Sequence, residues 1–441
     1  MEIKKILREA GIVGAGGAGF PSYAKLSEGA DTLLINAAEC EPLLFTDFTI
    51  LSEELDTVLD GARLIADALG VGRVLLCMKG HNASTFGFQD GDLLPCDVTV
   101  RVLPDVYPLG DEINLIYEST GRLVQPGCLP ITQGVIVYNV ETLYNVSRAL
   151  RFGTPVTEKW LTLGGDIEEV RVLRVPVGTP IAKIFKKYGI KVPESHVVVD
   201  GGPSMGRVVN HMTAVVGKTT KGILVLPRDI PAIMMKIRSA DRQVAVANAV
   251  CCQCTNCTEM CPRALLGYPL EPHRLVRASN EVVRAMPDAY TSALLCCGCG
   301  ICEISACGQF ISPKTVIAGQ KKILAEARIR YPQGKEPVLP SEDRAVRRVP
   351  VSRWRSLLGV AKFHRAPQGE VESCACGEVF IPLKPHIGAP SLAEVKVGDC
   401  VTKGELIASA ADGLSIDQHA SVDGVVTFID ENGIRIKEKV N

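Results

Sequence analysis

Apolar residues recur at helical spacing in "SEELDTVLDGARLIADALG" (52–70) and gather into short unbroken runs at "RVLLCMK" (73–79) and "GVIVYNV" (134–140). A period near 3.6 predicts an amphipathic helix, and a brief apolar run predicts a strand buried on both faces. Their alternation over 1–150 is the βαβ rhythm of an α/β domain. From about 153 the texture changes. "WLTLGGDIEEVRVLRVPVGTPIAKIFKKYG" predicts two strands around a turn at Gly164 and Gly165, then a helix after "VGTP", where proline suits the first helical turn. That defines a small α+β module over 153–226. Between 240 and 330 helices lie between and after two cysteine clusters, "TVIAGQKKILAEARIR" being the last. Prolines and mixed charge in "YPQGKEPVLPSEDRAVRRVP" mark 331–370 as a solvated linker. Turns at "VGDCVTKGE", "SVDGV" and "DENGI" then cut 371–441 into short strands, as in a compact β-sandwich or barrel.

A chain of 441 residues, 46% hydrophobic and 22% charged, has room for about three or four such units. Its net charge of -1 offers no basic surface of the kind nucleic-acid binding requires. The apolar part of "MEIKKILREAG" is too short for a signal sequence, and no transmembrane segment is expected, which implies a cytoplasmic location. Without an export signal the 17 cysteines read as metal ligands and free thiols, and ten of them lie between 251 and 307.

Cys251, Cys254, Cys257 and Cys261, followed by Pro262, spell CxxCxxCxxxCP, the run by which bacterial ferredoxins hold a cubane cluster. Two-residue gaps let three thiolates converge from one loop, and the fourth normally serves the other cluster. Cys296, Cys299 and Cys302 repeat the spacing; Cys307 follows after four residues instead of three, with no proline behind it. Crossing the fourth ligands gives one [4Fe-4S] set of Cys251, Cys254, Cys257 and Cys307, and a second of Cys296, Cys299, Cys302 and Cys261. Cys252 and Cys297 fall off register and are excluded. Structural zinc is the alternative, although zinc modules usually pair two CxxC knuckles. Cys374 and Cys376 form a CxC pair, while Cys40, Cys77, Cys96, Cys128 and Cys400 read as packed small apolar residues. No HxxxH pair, catalytic acid or nucleophile stands out.

Five glycines crowd "GIVGAGGAGFP" (11–21), where Gly14, Gly16, Gly17 and Gly19 form GxGGxG. The preceding "IKKILREA" is helical in pattern, which disfavours an ordinary dinucleotide fingerprint. Glycine's positive φ and bare N–H groups still suit a phosphate or a flat ring, a flexible turn being the other reading. Four stretches, "GAGGAGFPSYAK" (14–25), "NAAECEP" (36–42), "YPLGDE" (107–112) and "YNVET" (138–142), occur in that order. Together they resemble the flavin subunit of respiratory complex I and the C subunit of Rnf electron-transport complexes. The resemblance implies FMN against Gly14, Gly16, Gly17, Lys25, Asn36, Gly110 and Asn139, with Lys25 as the phosphate's cation. It implies NADH stacked on the flavin near Phe20, Glu41 and Glu112. Ala15 and Ala38 stand where the family carries an arginine and an aspartate. Taken without the family, Glu39, Glu41, Asp111 and Glu112 are solvated loop carboxylates.

"VPVGTPI" and "DGGPSMGR" resemble the soluble-ligand-binding β-grasp (SLBB) domain, and "HIGAPSLAEVKVGDCVTKGELIA" resembles a barrel-sandwich hybrid, lipoyl-like but without a carrier lysine. In Rnf C subunits that sandwich precedes the flavin domain. Here it comes last, an order similar to the cobalamin reductases of propanediol-utilisation microcompartments. The implied architecture is a multidomain α/β and α+β chain. It has an FMN/NADH domain (1–150), an SLBB domain (153–226), a ferredoxin-like domain with two [4Fe-4S] clusters (240–330), a linker (331–370) and the sandwich (371–441). The implied activity is NADH-dependent reduction of cob(III)alamin to cob(II)alamin and cob(I)alamin. An ATP:cob(I)alamin adenosyltransferase and shell proteins of a bacterial microcompartment are the implied partners. Two alternatives remain: an Rnf C-like subunit passing electrons to ferredoxin or a membrane complex, and a non-catalytic adaptor.

Overall fold

The computed structural model describes residues 2–17, 19–332, 337–374 and 377–439. Cys376 of the CxC pair lies outside them. Four parallel strands, Thr32–Ala37, Arg73–Lys79, Val98–Leu103 and Val135–Asn139, form the first sheet with a short antiparallel edge at Leu93–Leu94. From Thr32–Ala37 the chain steps outward through Arg73–Lys79 to Val98–Leu103, then returns to add Val135–Asn139 on the other flank. The strand order therefore reverses between Thr32–Ala37 and Val135–Asn139, and open α/β sheets hold ligands beyond the carboxyl ends of strands at such a point.

Both faces of this sheet are covered, which explains its unbroken apolar runs. On one face Leu33 and Ile35 pack with Leu59, Ala62, Leu143 and Val146 from the helices Thr46–Leu69 and Val140–Phe152. On the other, Leu34, Leu75 and Val137 share a core with Leu266, Leu275 and Leu324 of the cysteine-rich region. The cluster-bearing segment is thus built onto the sheet, its longest helix being Pro313–Glu326.

The second sheet has six strands, in the order Arg207–Val209, His196–Asp200, Gly222–Pro227, Glu158–Gly165, Arg171–Pro176 and Glu372–Ser373. The helix Ile181–Lys187 buries Ile184 and Phe185 against it. Gly164 and Gly165 end the strand, so the turn lies just beyond them. Four strands (Glu378–Pro382, Gly433–Glu438, Gly424–Ile429, Cys400–Val401) face three (Leu392–Ala393, Leu406–Ser409, Gln418–His419) around Val379, Ile407, Val426 and Ile436, giving the C-terminal sandwich.

The solvated-linker reading needs correction over residues 349–363. Val349–Pro350 pairs with Val106–Tyr107, and the helix Val351–Leu357 carries a Trp354 that is 0% exposed. Its indole stacks on Tyr107 at 4.5 Å and donates from Nε1 to Ser204 Oγ at 2.9 Å. Val349, Trp354, Leu358, Val360 and Phe363 bury enough apolar surface to hold this stretch down despite its prolines and charges. Cys96 and Cys400 also depart from expectation, being exposed rather than packed. Among the described residues no helix is long and apolar enough to cross a membrane.

Candidate functional site

Asn36 and Asn139 are register partners at the carboxyl ends of the two strands that flank the reversal. Asn36 Nδ2 donates to Gly110 O (3.0 Å), and its Oδ1 accepts from Ala38 N (3.2 Å). Asn139 Oδ1 caps the following helix by accepting from Glu141 N (3.2 Å), while Nδ2 donates to Asp47 Oδ2 (3.0 Å). The glycine loop folds back over them, closed by Gly14 N to Phe20 O (2.8 Å), a bridge between Val13 and Pro21, and Ala15 N to Thr142 Oγ1 (3.0 Å). A Cβ on Gly16 would stand 3.7 Å from the Asn139 side chain; Gly17, at φ +113°, opens to solvent. Gly110 is narrower still, since a Cβ there would come within 2.8 Å of Cys40 Sγ. Lys25 Nζ reaches Glu112 Oε1 (3.1 Å) and Val137 O (3.0 Å). Gly14, Gly16, Gly17, Lys25, Asn36, Gly110, Glu112 and Asn139 are thus linked by contacts around the point where the strand order reverses, where such sheets form a ligand crevice. Bare backbone, a half-buried cation and amide side chains at a sheet's reversal point fit a flat ligand bearing a phosphate.

Two further residues implied for the nucleotide lie at the edges of this group. Phe20 lies half-exposed at the end of the glycine loop. Glu41 turns toward the second module: its two carboxylate oxygens accept from Ser204 N (2.9 Å) and Met205 N (2.7 Å). Ser204 is a junction, because its carbonyl also accepts from Lys236 and Lys314, each at 2.7 Å, and its hydroxyl takes the Trp354 indole.

The solvated-carboxylate reading fails for Glu39, whose side chain is 9% exposed and lies beside Lys221 (3.6 Å) and Asp47. Burial pushes its carboxyl up to about 7, against the pull of Lys221. Lys221 also pairs with Asp47, and Lys159 with Glu141, both in the interior. The lysines come from the second module, and Asp47 and Glu141 from the helices Thr46–Leu69 and Val140–Phe152 of the first, so ion pairs close that interface. Single lysines inside the apolar runs "EKWLTL" and "KGILVL" were the available signal. Asp111 likewise caps the helix Glu112–Thr120 and binds Arg263 at 2.7 Å.

The cysteines separate into two cavities. Cys251, Cys254, Cys257 and Cys307 line one, with Cys252 and His273; Cys261, Cys296, Cys299 and Cys302 line the other, with Cys297 and Lys314. The grouping is the one the crossed spacing predicts, the short helices Asn256–Glu259 and Ile301–Ile304 leading Cys261 and Cys307 away from the loops that precede them. Burial pushes the Cys257 and Cys261 thiols up to about 12, so converging thiolates need a cationic centre to share. Among the described residues no three His, Cys, Asp or Glu are spaced to hold a single metal ion. The second cavity is the deeper one: Cys261, Cys299 and Cys302 are buried, whereas Cys254 is exposed. Tyr107, preceding Gly110 in the crevice, donates from its hydroxyl to Cys299 O at 2.6 Å. Lys321 Nζ holds Cys296 O at 2.9 Å.

Residues 7–148 match the Nuo51 FMN-binding domain, 250–312 a 4Fe-4S dicluster domain, and 365–441 the RnfC barrel sandwich hybrid domain. A relative from Rhodobacter capsulatus, the C subunit of an ion-translocating oxidoreductase complex, is 32% identical over 61% of this chain and 51% of its own. Cobalamin reductase PduS of Salmonella typhimurium is 37% identical over 99% of this chain and 96% of its own. Its counterpart from Citrobacter freundii is 36% identical over 98% and 96%. With flavin-type, dicluster and sandwich domains in one polypeptide and kinship running nearly end to end, this chain belongs to the cobalamin reductase PduS family.

Proposed function

We propose that the protein is an NADH-dependent cobalamin reductase. The observation that carries this reading is the Tyr107 hydrogen bond to Cys299 O, which joins the crevice loop directly to the buried cysteine set. Gly14, Gly16, Gly17, Lys25, Asn36, Gly110 and Asn139 would hold FMN, with Phe20, Glu41 and Glu112 on the nucleotide side. The eight cysteines would hold two [4Fe-4S] clusters in the crossed sets. Bound flavin supplies conversion of a hydride pair into single electrons, and the clusters supply single-electron carriage.

The chain's own residues do the orienting. Asn36 and Asn139 fix the crevice floor through Gly110 and the helix cap. Glu41 anchors the 204–205 backbone and thereby the lysines on Ser204. The sheet over 158–227 and its single helix support reading 153–226 as an SLBB domain. The balanced reaction takes NADH and two aquacob(III)alamin to NAD+, a proton, two cob(II)alamin and the released axial waters; a further electron gives cob(I)alamin. Kinship with PduS supports an adenosyltransferase and microcompartment shell proteins as partners, and residence inside such a compartment.

Anaerobic reconstitution tests the reading. FMN, eight irons per chain, bleaching by NADH and recovery of colour on adding aquacobalamin are expected. Bleaching without cobalamin reduction would support instead the Rnf C-like transfer subunit, and zinc in a colourless protein would end the redox reading.

A further inference from the structure

The two cysteine cavities differ in what surrounds them. Lys314 lines the buried one, and Lys321 and Arg263 stand on or beside its cysteine loops. No Asp, Glu, Lys or Arg occurs among the described residues that line the open one. Its outer rim is instead Cys252, Gln253, Cys254, Asn256 and Gln309, all exposed. Gln253 is held at φ +55°, a conformation non-glycine residues rarely adopt and one that clusters at functional sites. Two exposed apolar residues are chain neighbours of the lining residues: Val250, 44% exposed, precedes Cys251, and Phe310, 64% exposed, follows Gln309.

We infer that this rim is where cobalamin docks to receive electrons, an inference that rests on the reductase reading above. A corrin is a flat macrocycle with apolar faces and a fringe of carboxamides, and it carries no carboxylate. Gln253, Asn256 and Gln309 each offer both a donor and an acceptor to such a fringe. Phe310 and Val250 offer apolar surface to its face. The described residues that line the cavity carry no Asp, Glu, Lys or Arg, and the charges at its edge are of both signs: Arg238 donates to Phe310 O, and Glu259 accepts from Thr255 Oγ1. A charged redox protein would instead require a surface of one opposite sign. Each docked cob(III)alamin takes one electron and sheds its axial water, and NADH supplies two electrons with release of one proton. Docking at the exposed set also matches depth to direction: the buried set adjoins Tyr107 and the crevice, and the open set meets solvent.

The test uses the full chain loaded with flavin and clusters. Cyanocobalamin should suppress alkylation of Cys252 by iodoacetamide, read by mass spectrometry. The variants Gln309→Ala and Phe310→Ala should raise the KM for aquacobalamin by about tenfold, as expected for losing one or two polar or apolar contacts. Iron content and bleaching by NADH verify that each variant is loaded. Unprotected Cys252 together with an unchanged KM would overturn the docking inference while leaving a wild-type reductase intact. Protection of Cys252 by a reduced ferredoxin but not by cyanocobalamin would assign the rim to a redox protein and also overturn it. Failure of the wild-type protein to reduce aquacobalamin at all would instead remove the reading beneath it.

Discussion

The two cysteine sets are near repeats in sequence but occupy opposite surroundings. The set of Cys261, Cys296, Cys299 and Cys302 is sunk between the flavin-type sheet and Pro313–Glu326, with Arg263, Lys314 and Lys321 nearby. The set of Cys251, Cys254, Cys257 and Cys307 opens outward behind a rim of cysteine and amide side chains. Cluster potentials follow net charge, hydrogen bonding and solvent exposure, so similar ligand runs can hold clusters of different poise. On the proposed reading the buried set, whose Arg263 and Lys314 pair with Asp111 and Glu303, would be the receiver beside Tyr107, and the open set the exit.

Removing ligands breaks this comparison most severely. Cys299→Ala should abolish NADH bleaching of both sets, whereas Cys251→Ala with Cys254→Ala should leave the buried set reducible by NADH and lose cobalamin reduction. Iron analysis and electron-paramagnetic spectra separate the two outcomes. Trp354→Ala comes next. It deletes the stack on Tyr107 and the bond to Ser204, and should cost about 3–5 kcal/mol in anaerobic denaturant unfolding.

Lys314→Met sharpens the contrast without removing sulfur. The buried cluster's midpoint potential should fall by tens of millivolts, about 59 mV for each 1.4 kcal/mol of lost stabilisation of its reduced form, while the open cluster's stays unchanged. The smallest effect concerns pH. Burial raises Glu39 to about 7 from the ordinary 4.5, so the folded state binds this proton more tightly than the unfolded chain does. Its contribution is fully present below pH 4.5 and is lost as pH rises toward 7. Glu39→Gln should flatten that part of the stability profile, measured by unfolding at pH 5 and pH 8.

Three members of each cysteine set were legible because two-residue gaps place them on one loop, and the exchange of Cys261 and Cys307 between the loops was legible only through the ferredoxin spacing pattern. The first sheet was legible from local pattern, its short apolar runs alternating with helical periodicity and being bounded by turns. What escaped depends on distant partners. Glu39 reads as a loop carboxylate until Lys221, far along the chain, closes over it. The contact of Glu41 with the Ser204 and Met205 N–H groups of another module likewise has no local signal. Trp354 was hidden among prolines and charges, since nothing nearby in sequence reveals Tyr107 as its stacking partner.

Rapid-freeze electron-paramagnetic spectroscopy of the NADH-reduced protein mixed with aquacobalamin tests the central claim most directly. The expected result is a cob(II)alamin signal that grows as the open cluster's reduced signal decays, and that fails to form at the normal rate in the Cys251→Ala, Cys254→Ala protein. Formation of cob(II)alamin at the wild-type rate in that variant would contradict the account.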